Sequence, residues 1–419
     1  MDIAILIGGE GSRIKKISKT VPKPFLKIGN KSIIDHQLKF LSKIKKKIFL
    51  LSNRKYSRFH HQLKQKYKNI KFEIFEENMR LGTGGCLRSL IKYKNENYLI
   101  IFGDLIFNIN FKKFHKFHKK NKSDLTLLVH PNDHPYDSDL LEINEKNRLI
   151  KFHKKPHKKN NIGNLSLSGI LILNKKVLKH IKPNKFQDLS KNILPKLLKK
   201  KCKIFAYNTR EYVKDVGTPK RIGLVKKQIQ TKKFTNGNID KKLPAIFLDR
   251  DGVINKEYHN FKYQDPMNIN KGAVSAVKKI NNKGYLSVII TNQPAVAKGF
   301  ITLNKLENDH KKLEYYFGKQ GAYFDRIYFC PYHPDKGFKG ENKKFKKKST
   351  WRKPDNGMLL QAIKDLNIDI KKSYMIGDQS VDYYAAKKTG IKCLLVGKKF
   401  KIKGSKNYKN LFNAIEAII

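Results

Sequence analysis

Short apolar runs alternate with polar, helix-periodic stretches along the whole chain. In the first half, residues 3–7, 48–52, 71–76, 98–102 and 170–173 read as buried strands. Between them, Ile33, Ile34, Gln37, Leu38 and Leu41 recur at helical spacing; helices are also expected at 58–67 and from Pro219 to about Gln230. In the second half, strands are expected at 245–248, 285–290, just before Cys330 and at 374–376. Helices are expected at 303–317 and from about Gly357. Strands that alternate with helices predict an α/β fold with open sheets. The pattern divides into two Rossmann-like domains, 1–232 and 244–419. The stretch 233–243 between them is polar and contains Gly and Asn without periodicity, as a linker would.

The apolar run at 245–248 ends in Asp249-Arg250-Asp251-Gly252, two carboxylates one residue apart at a strand terminus. Beyond the ladder the chain can swing both carboxylates towards one pocket. There one can attack phosphorus while the other moves a proton, with Mg²⁺ screening their repulsion. Gly252 permits the sharp turn. An acidic turn capping a strand would explain these four residues equally well. Three later pieces weigh against that plainer reading. Thr291-Asn292-Gln293 places a small hydroxyl at the end of the next strand, and Arg352-Lys353 supplies positive charge before a helix. Gly377-Asp378, with Asp382 four residues on, adds carboxylates at a third strand end.

In this order the motifs resemble the haloacid dehalogenase (HAD) phosphatases over about residues 243–400. The resemblance implies a HAD-like parallel sheet. It makes Asp249 the nucleophile of an aspartyl-phosphate and Asp251 the acid/base. Thr291 and Lys353 would hold the phosphoryl group, with Arg352 and Asn292 near the substrate. Asp249, Asp378 and Asp251, the last through its backbone carbonyl, would hold Mg²⁺. Asp382 would support Lys353 or the metal shell.

In the first half, the strand at 3–7 runs into Gly8-Gly9-Glu10-Gly11-Ser12-Arg13, where backbone N–H groups can close around a triphosphate. Pro22-Lys23-Pro24 holds a lysine between rigid residues, and Leu81-Gly82-Thr83-Gly84-Gly85 opens a helix that leaves room for a flat base. Gly103-Asp104 and Asp215-Val216-Gly217-Thr218-Pro219 offer two carboxylates for the Mg²⁺ of a nucleoside triphosphate. Each glycine-rich turn alone is explained by a tight loop. Together and in order they resemble the sugar-1-phosphate nucleotidylyltransferases over about residues 1–230, implying a GT-A-like mixed sheet. That family implies that Arg13 and Lys23 hold the triphosphate, Asp104 and Asp215 the metal, and the loops at 8–12 and 81–84 the nucleotide. Lys155 would contact the sugar phosphate, although Lys154 stands where the family carries an acid. Gly169, opening the strand at 170–173, would line the sugar pocket; a plain turn explains it nearly as well.

The phosphatase half resembles the branch of heptose-1,7-bisphosphate 7-phosphatases and histidinol phosphatases, which carries Cys-x-His and Cys-x-Cys on zinc. Here Tyr332 follows Cys330-Pro331, and Ser349-Thr350-Trp351 stands in place of the second pair, so zinc is not expected. Packing by Trp351 is expected to hold that loop instead. The first half most resembles guanylyltransferases acting on heptose 1-phosphate. A fusion of the two predicts consecutive steps on one sugar phosphate, with GTP as nucleotide donor. The alternatives are the same reactions on another sugar, a histidinol-phosphatase-like second half, or a non-catalytic basic scaffold.

Composition changes this picture little. The 419 residues carry 91 Lys and Arg against 34 Asp and Glu, a formal charge of +57. The lysines are dispersed through both halves, without a basic tail or an RNA-binding signature, so nucleic acid is not the expected partner. No run approaches membrane-spanning length, no leader precedes the first strand, and four cysteines are scattered. The cytoplasm is the expected location.

Overall fold

The computed structural model describes residues 1–9, 21–44, 46–257, 263–397, 400 and 407–419. Two compact units emerge. The first comprises 1–130, 141–154 and 167–238; the second comprises 131–140, 155–166 and 239–419. Among the described residues, no helix is long and apolar enough to cross a membrane.

The first unit is built on a mixed sheet of nine strands. Asp2–Leu6 lies at its centre, parallel to both Ile48–Asn53 and Asn97–Phe102. Phe72–Glu77 extends the parallel part, and Leu165–Asn174 joins antiparallel to Asn97–Phe102. Side chains alternate about the sheet. Ala4, Phe49, Tyr98 and Ile100 feed one core, while Ile3, Ile5, Leu50 and Leu99 feed the other with Ile34, Leu38 and Phe114. Burial on both faces is why these strands read as continuous apolar runs. The crossover helix Ile33–Leu41 starts at a Ser32/Asp35 capping box. The short ribbon of Leu105–Asn108 with Tyr212–Asp215 brings Asp215 opposite Leu105, beside Asp104.

The second unit holds a wholly parallel sheet of six strands. Their order is Arg326–Cys330, Leu286–Asn292, Ala245–Leu248, Tyr374–Gly377, Lys392–Val396 and Asn407–Tyr408. The central strand again alternates. Ile246 and Leu248 pack on Ala276, Ile280 and Phe317 of one helical layer. Ala245 and Phe247 pack on Leu359, Ala362 and Ala386 of the other. Parallel strands place every carboxyl end on one edge, where crevices form.

Two expectations about boundaries change. The stretch expected as a linker is structured. Lys232–Thr235 is a short helix, Phe234 packs on Tyr212 at 5.2 Å, and Asn108 Nδ2 donates to Phe234 O at 2.8 Å. The division falls between Asn238 and Ile239. The second unit also takes in two excursions from the first half, because Leu140 and Ile162 pack against Tyr315 of the helix Leu303–Lys319. A single buried aromatic or aliphatic residue in a polar stretch leaves no periodicity to read.

His118 lies buried within the first unit, with Nδ1 at 2.7 Å from Thr126 Oγ1 and Nε2 at 3.0 Å from Asn97 Oδ1. Burial, then the neighbouring His115, lower its pKa to about 4. The folded imidazole stays neutral while the unfolded one takes up a proton below about pH 6.5, so stability falls as pH falls through that window. Urea unfolding of the wild type is expected to lose about 2 kcal/mol from this source between pH 7 and pH 5. His118→Gln is expected to lose that share of the slope.

Candidate active sites

Two neighbouring strands and one helix start of the second unit meet at one cluster of charge. Asp249 follows Ala245–Leu248, Asp378 follows Tyr374–Gly377, and Asp382 sits in the first turn of Ser380–Thr389. One carboxylate oxygen from each of the three lies within 4.8 Å of the others, and all three residues are buried. Among them stands Lys353, 2 % exposed, with Nζ at 2.9 Å from Asp249 Oδ2, 2.6 Å from Asp382 Oδ1 and 2.9 Å from Ile290 O. Asp382 spends its other oxygen on the N–H groups of Asp378 and Gln379, both at 3.2 Å.

Three carboxylates against one ammonium leave this pocket short of positive charge. Burial first, then Asp382 and Asp251, push Asp249 up to about 7 despite Lys353. Burial and the charges of Asp249, Asp382 and Glu257 push Asp378 up to about 9. Asp378 Oδ1 is buried with no hydrogen-bond partner among the described residues. Hard oxygen ligands, a charge deficit and an unpartnered oxygen fit a small divalent cation such as Mg²⁺.

Glycine is required at two points of this cradle. A Cβ on Gly252, where φ is +82°, would stand 2.2 Å from Asp378 Oδ2. One on Gly377 would stand 2.3 Å from the Asp382 carboxyl group.

Asp251 and Arg352 face the same cavity of about 320 Å³ as Asp249 and Lys353. Thr291 is fully buried, and its Oγ1 accepts from Gln293 Nε2 at 3.0 Å. Asn292 also lines this cavity. Its Oδ1 accepts from Lys353 N and its Nδ2 donates to Lys353 O, both at 3.0 Å, so its carboxamide fixes the lysine backbone. Sequence reasoning passed over Arg250, the wholly buried residue between the two aspartates. The signal was there: strand alternation turns the middle residue of Asp-Arg-Asp away from the flanking pair.

The loop after Arg326–Cys330 is held by Phe345, not by the expected Trp351. Phe345 is buried with Val296, Ala297 and Leu306, its ring lies 5.7 Å from Tyr332, and its carbonyl accepts from His333 N at 3.1 Å. Trp351 is 37 % exposed and 6.4 Å from Tyr328. Burial raises the Cys330 thiol, which keeps it protonated. Phe345 escaped notice because lysines surround it in sequence.

The first unit carries a second cavity of about 320 Å³ at the carboxyl ends of its parallel strands. Gly8, Gly9, Lys23, Asp104, Gly82 and Thr83 line it. Gly11, Ser12 and Arg13 lie outside the described residues. Lys23 Nζ pairs with Asp104 Oδ2. Asp215 is bound by Arg221 Nη1 at 2.7 and 2.6 Å. Among the described residues, nothing within 4 Å would oppose a Cβ at Gly9.

Two placements, those of Gly169 and Lys155, differ from expectation. The glycines of the 81–85 turn, where Gly82 and Thr83 line the cavity, also serve a backbone contact. Gly84 N and Gly85 N donate to Gln187 O at 2.8 and 3.0 Å, and a Cβ on Gly82 would stand 2.7 Å from that oxygen. The Leu81 N–H donates to Glu77 Oε2 at 3.2 Å, and Glu77 lines the cavity although no motif named it. Gly169 lies inside the strand Leu165–Asn174 at φ +82°, against the Phe102 ring, and neither opens the strand nor makes a turn. Lys155 belongs to the second unit, with Nζ at 2.8 Å from Asp137 Oδ1, and is not among the described residues lining the cavity.

Comparison with known proteins follows this division. Residues 3–232 match the nucleotidyl transferase family, and residues 350–403 match a HAD-hydrolase-like family. D-glycero-beta-D-manno-heptose-1,7-bisphosphate 7-phosphatase of Haemophilus ducreyi is 35% identical over 180 residues, 42% of this chain and 96% of that protein. The chain belongs to the nucleotidyl transferases and, by its other part, to the heptose-bisphosphate phosphatases. The phosphatase of the same name from Escherichia coli K12 is 36% identical over 146 residues, 35% of this chain and 74% of that protein. The crystal structure of HddC from Yersinia pseudotuberculosis has 26% identity and a TM-score of 0.48, covering 54% of this chain and 99% of its own. A nucleotidyltransferase is thus fused to a phosphatase in one polypeptide.

Gly252→Ala is expected to cut phosphate release by the phosphatase unit more than about 100-fold and to lower the melting temperature, since its Cβ displaces the Asp378 carboxylate and the positive φ strains alanine. Asp378→Asn is expected to abolish phosphate release. In the presence of a chelator at neutral pH it should also raise stability by about 1–3 kcal/mol, measured by urea unfolding, because it removes a buried carboxyl group that folding forces to take up a proton.

Proposed function

We propose that the phosphatase unit removes the 7-phosphate of D-glycero-D-manno-heptose 1,7-bisphosphate and that the transferase unit then nucleotidylates the resulting heptose 1-phosphate. The observation that carries the phosphatase step is the meeting of Asp249, Lys353 and Asp251 in one cavity. Asp249 attacks phosphorus and forms an aspartyl-phosphate; Asp251 protonates the departing alcohol and then takes a proton from the attacking water. Lys353, anchored by Asp382, faces the phosphoryl oxygens, and Thr291 is expected to donate its hydroxyl to them. Asp249, Asp378 and the Asp251 carbonyl would hold Mg²⁺, which when bound neutralises phosphoryl charge.

In the transferase unit no covalent enzyme intermediate is required. The sugar phosphate attacks the α-phosphate in line and pyrophosphate leaves. Lys23 neutralises the triphosphate once freed from Asp104, which with Asp215 would turn to a second Mg²⁺. Gly8, Gly9 and the 81–84 turn surround the nucleotide, with Arg13, Gly11 and Ser12 completing the phosphate loop. Lys155 and Gly169 remain proposed contacts to the sugar phosphate. GTP is the proposed donor. Glu77 Oε1 makes no hydrogen bond to described residues, and a carboxylate can accept both N1–H and the 2-amino group of guanine. The cytoplasm is the proposed location.

Heptose 1,7-bisphosphate with Mg²⁺ is expected to release phosphate without nucleotide, and pyrophosphate only when GTP is added. Asp249→Asn should silence phosphate release by more than about 1000-fold, and Asp104→Ala should silence pyrophosphate release from heptose 1-phosphate while leaving phosphate release intact. Glu77→Gln should lower kcat/KM for GTP at least about 10-fold and that for UTP much less. Pyrophosphate from another sugar 1-phosphate, with no phosphate from the heptose bisphosphate, would overturn the sugar assignment.

A further inference from the structure

Arg250 is the largest fully buried side chain of the protein, and it stands next to the phosphatase cavity without lining it. Its Nε and Nη2 donate to Asp251 Oδ1 at 3.1 and 3.0 Å, and Nη2 also reaches Oδ2 at 3.0 Å. The rest of the fork is anchored by the cavity residues Gln293 and Tyr263 and by His310 behind them. Nη2 donates to Gln293 Oε1 at 2.9 Å, Nη1 lies 3.1 Å from His310 Nε2, and the guanidinium sits 5.9 Å from the centre of the Tyr263 ring. Burial and the adjacent guanidinium hold His310 well below the ordinary imidazole range, so it stays neutral and its Nε2 can accept from Nη1. Gln293 Nε2 and Asn255 Nδ2 complete the shell of Asp251 at 2.6 and 2.9 Å.

A buried ion pair of this kind adds little stability over an apolar replacement, so its retention points to orientation. A planar fork fixes a carboxyl group in both direction and tilt, which a single ammonium cannot do. We propose that Arg250 is a positioning residue of the phosphatase, acting through Asp251 to aim the carboxyl group that protonates the leaving alcohol. This rests on the aspartyl-phosphate reading. In the step concerned, the Asp249–phosphorus bond forms and the phosphorus–ester oxygen bond breaks. The electron pair left on that oxygen takes the proton from Asp251. A misaimed acid matters greatly for an alkoxide and little for a stable phenolate.

The test compares kcat/KM for an alkyl sugar phosphate and for p-nitrophenyl phosphate in wild type, Arg250→Lys, Asp251→Asn and the double variant. Arg250→Lys is expected to lose about 10–100-fold on the sugar phosphate and less than about 3-fold on the aryl phosphate. The double variant should be no slower than Asp251→Asn alone, because Arg250 has nothing left to aim. Should Arg250→Lys fail to fold, His310→Leu, which removes the Nη1 acceptor and keeps an apolar side chain beside Phe329, is expected to show the same alkyl-selective loss to a smaller degree. Equal losses on both substrates, or additive losses in the double variant, would overturn the proposal alone. Turnover retained by Asp249→Asn would overturn the aspartyl-phosphate reading and the proposal with it.

Discussion

The second unit depends on an electrostatic imbalance that its fold enforces. Asp249, Asp378 and Asp382 converge out of water around Lys353, and the shortage of positive charge raises Asp249 and Asp378 until protons or a further cation offset it. Like charges at this spacing would separate if the chain allowed it. They are held because each stands where a different strand or helix begins or ends, within a sheet whose two faces are covered by packed helices. The unit therefore spends packing energy to keep a site in a state that favours binding a cation and a phosphate.

The first unit meets a similar demand in another way. Lys23 and Asp104 neutralise each other at the mouth of parallel strands, and Arg221 does the same for Asp215. Here the charges that would meet a nucleotide and its metal are paired with each other rather than left in excess. Exposure explains the difference: the Asp104 and Asp215 side chains are 30% and 38% exposed, against 10% and 0% for Asp249 and Asp382. Partial contact with water makes exchanging one partner for another inexpensive.

Much of this was legible in the sequence because chemistry sits where apolar runs stop. Parallel strands buried on both faces are continuous in sequence, and their carboxyl ends carry Asp249, Thr291, Asp378 and Asp104 directly after them. What could not be read depends on residues distant along the chain. The glycines at 82–85 are spaced for the carbonyl of Gln187, a hundred residues on. Asn292 serves the backbone of Lys353. Phe345, isolated among lysines, replaces the anchor expected from Trp351. The excursions 131–140 and 155–166 belong with the second unit through three apolar side chains. In each case a single tertiary contact decides, and no periodicity announces it.

The cavity of the phosphatase unit has walls of two kinds. Asp249, Lys353 and their partners stand on the ends of the central strands, whereas Tyr263, Lys298 and Phe300 come from the loops between strand and helix. Substitutions at Lys298 and Phe300, unlike those at Tyr263 beside Arg250, leave the sheet and its charges undisturbed. Such a division makes the unit readily evolvable: descendants can change which phosphorylated molecule they admit while inheriting the phosphate chemistry unaltered.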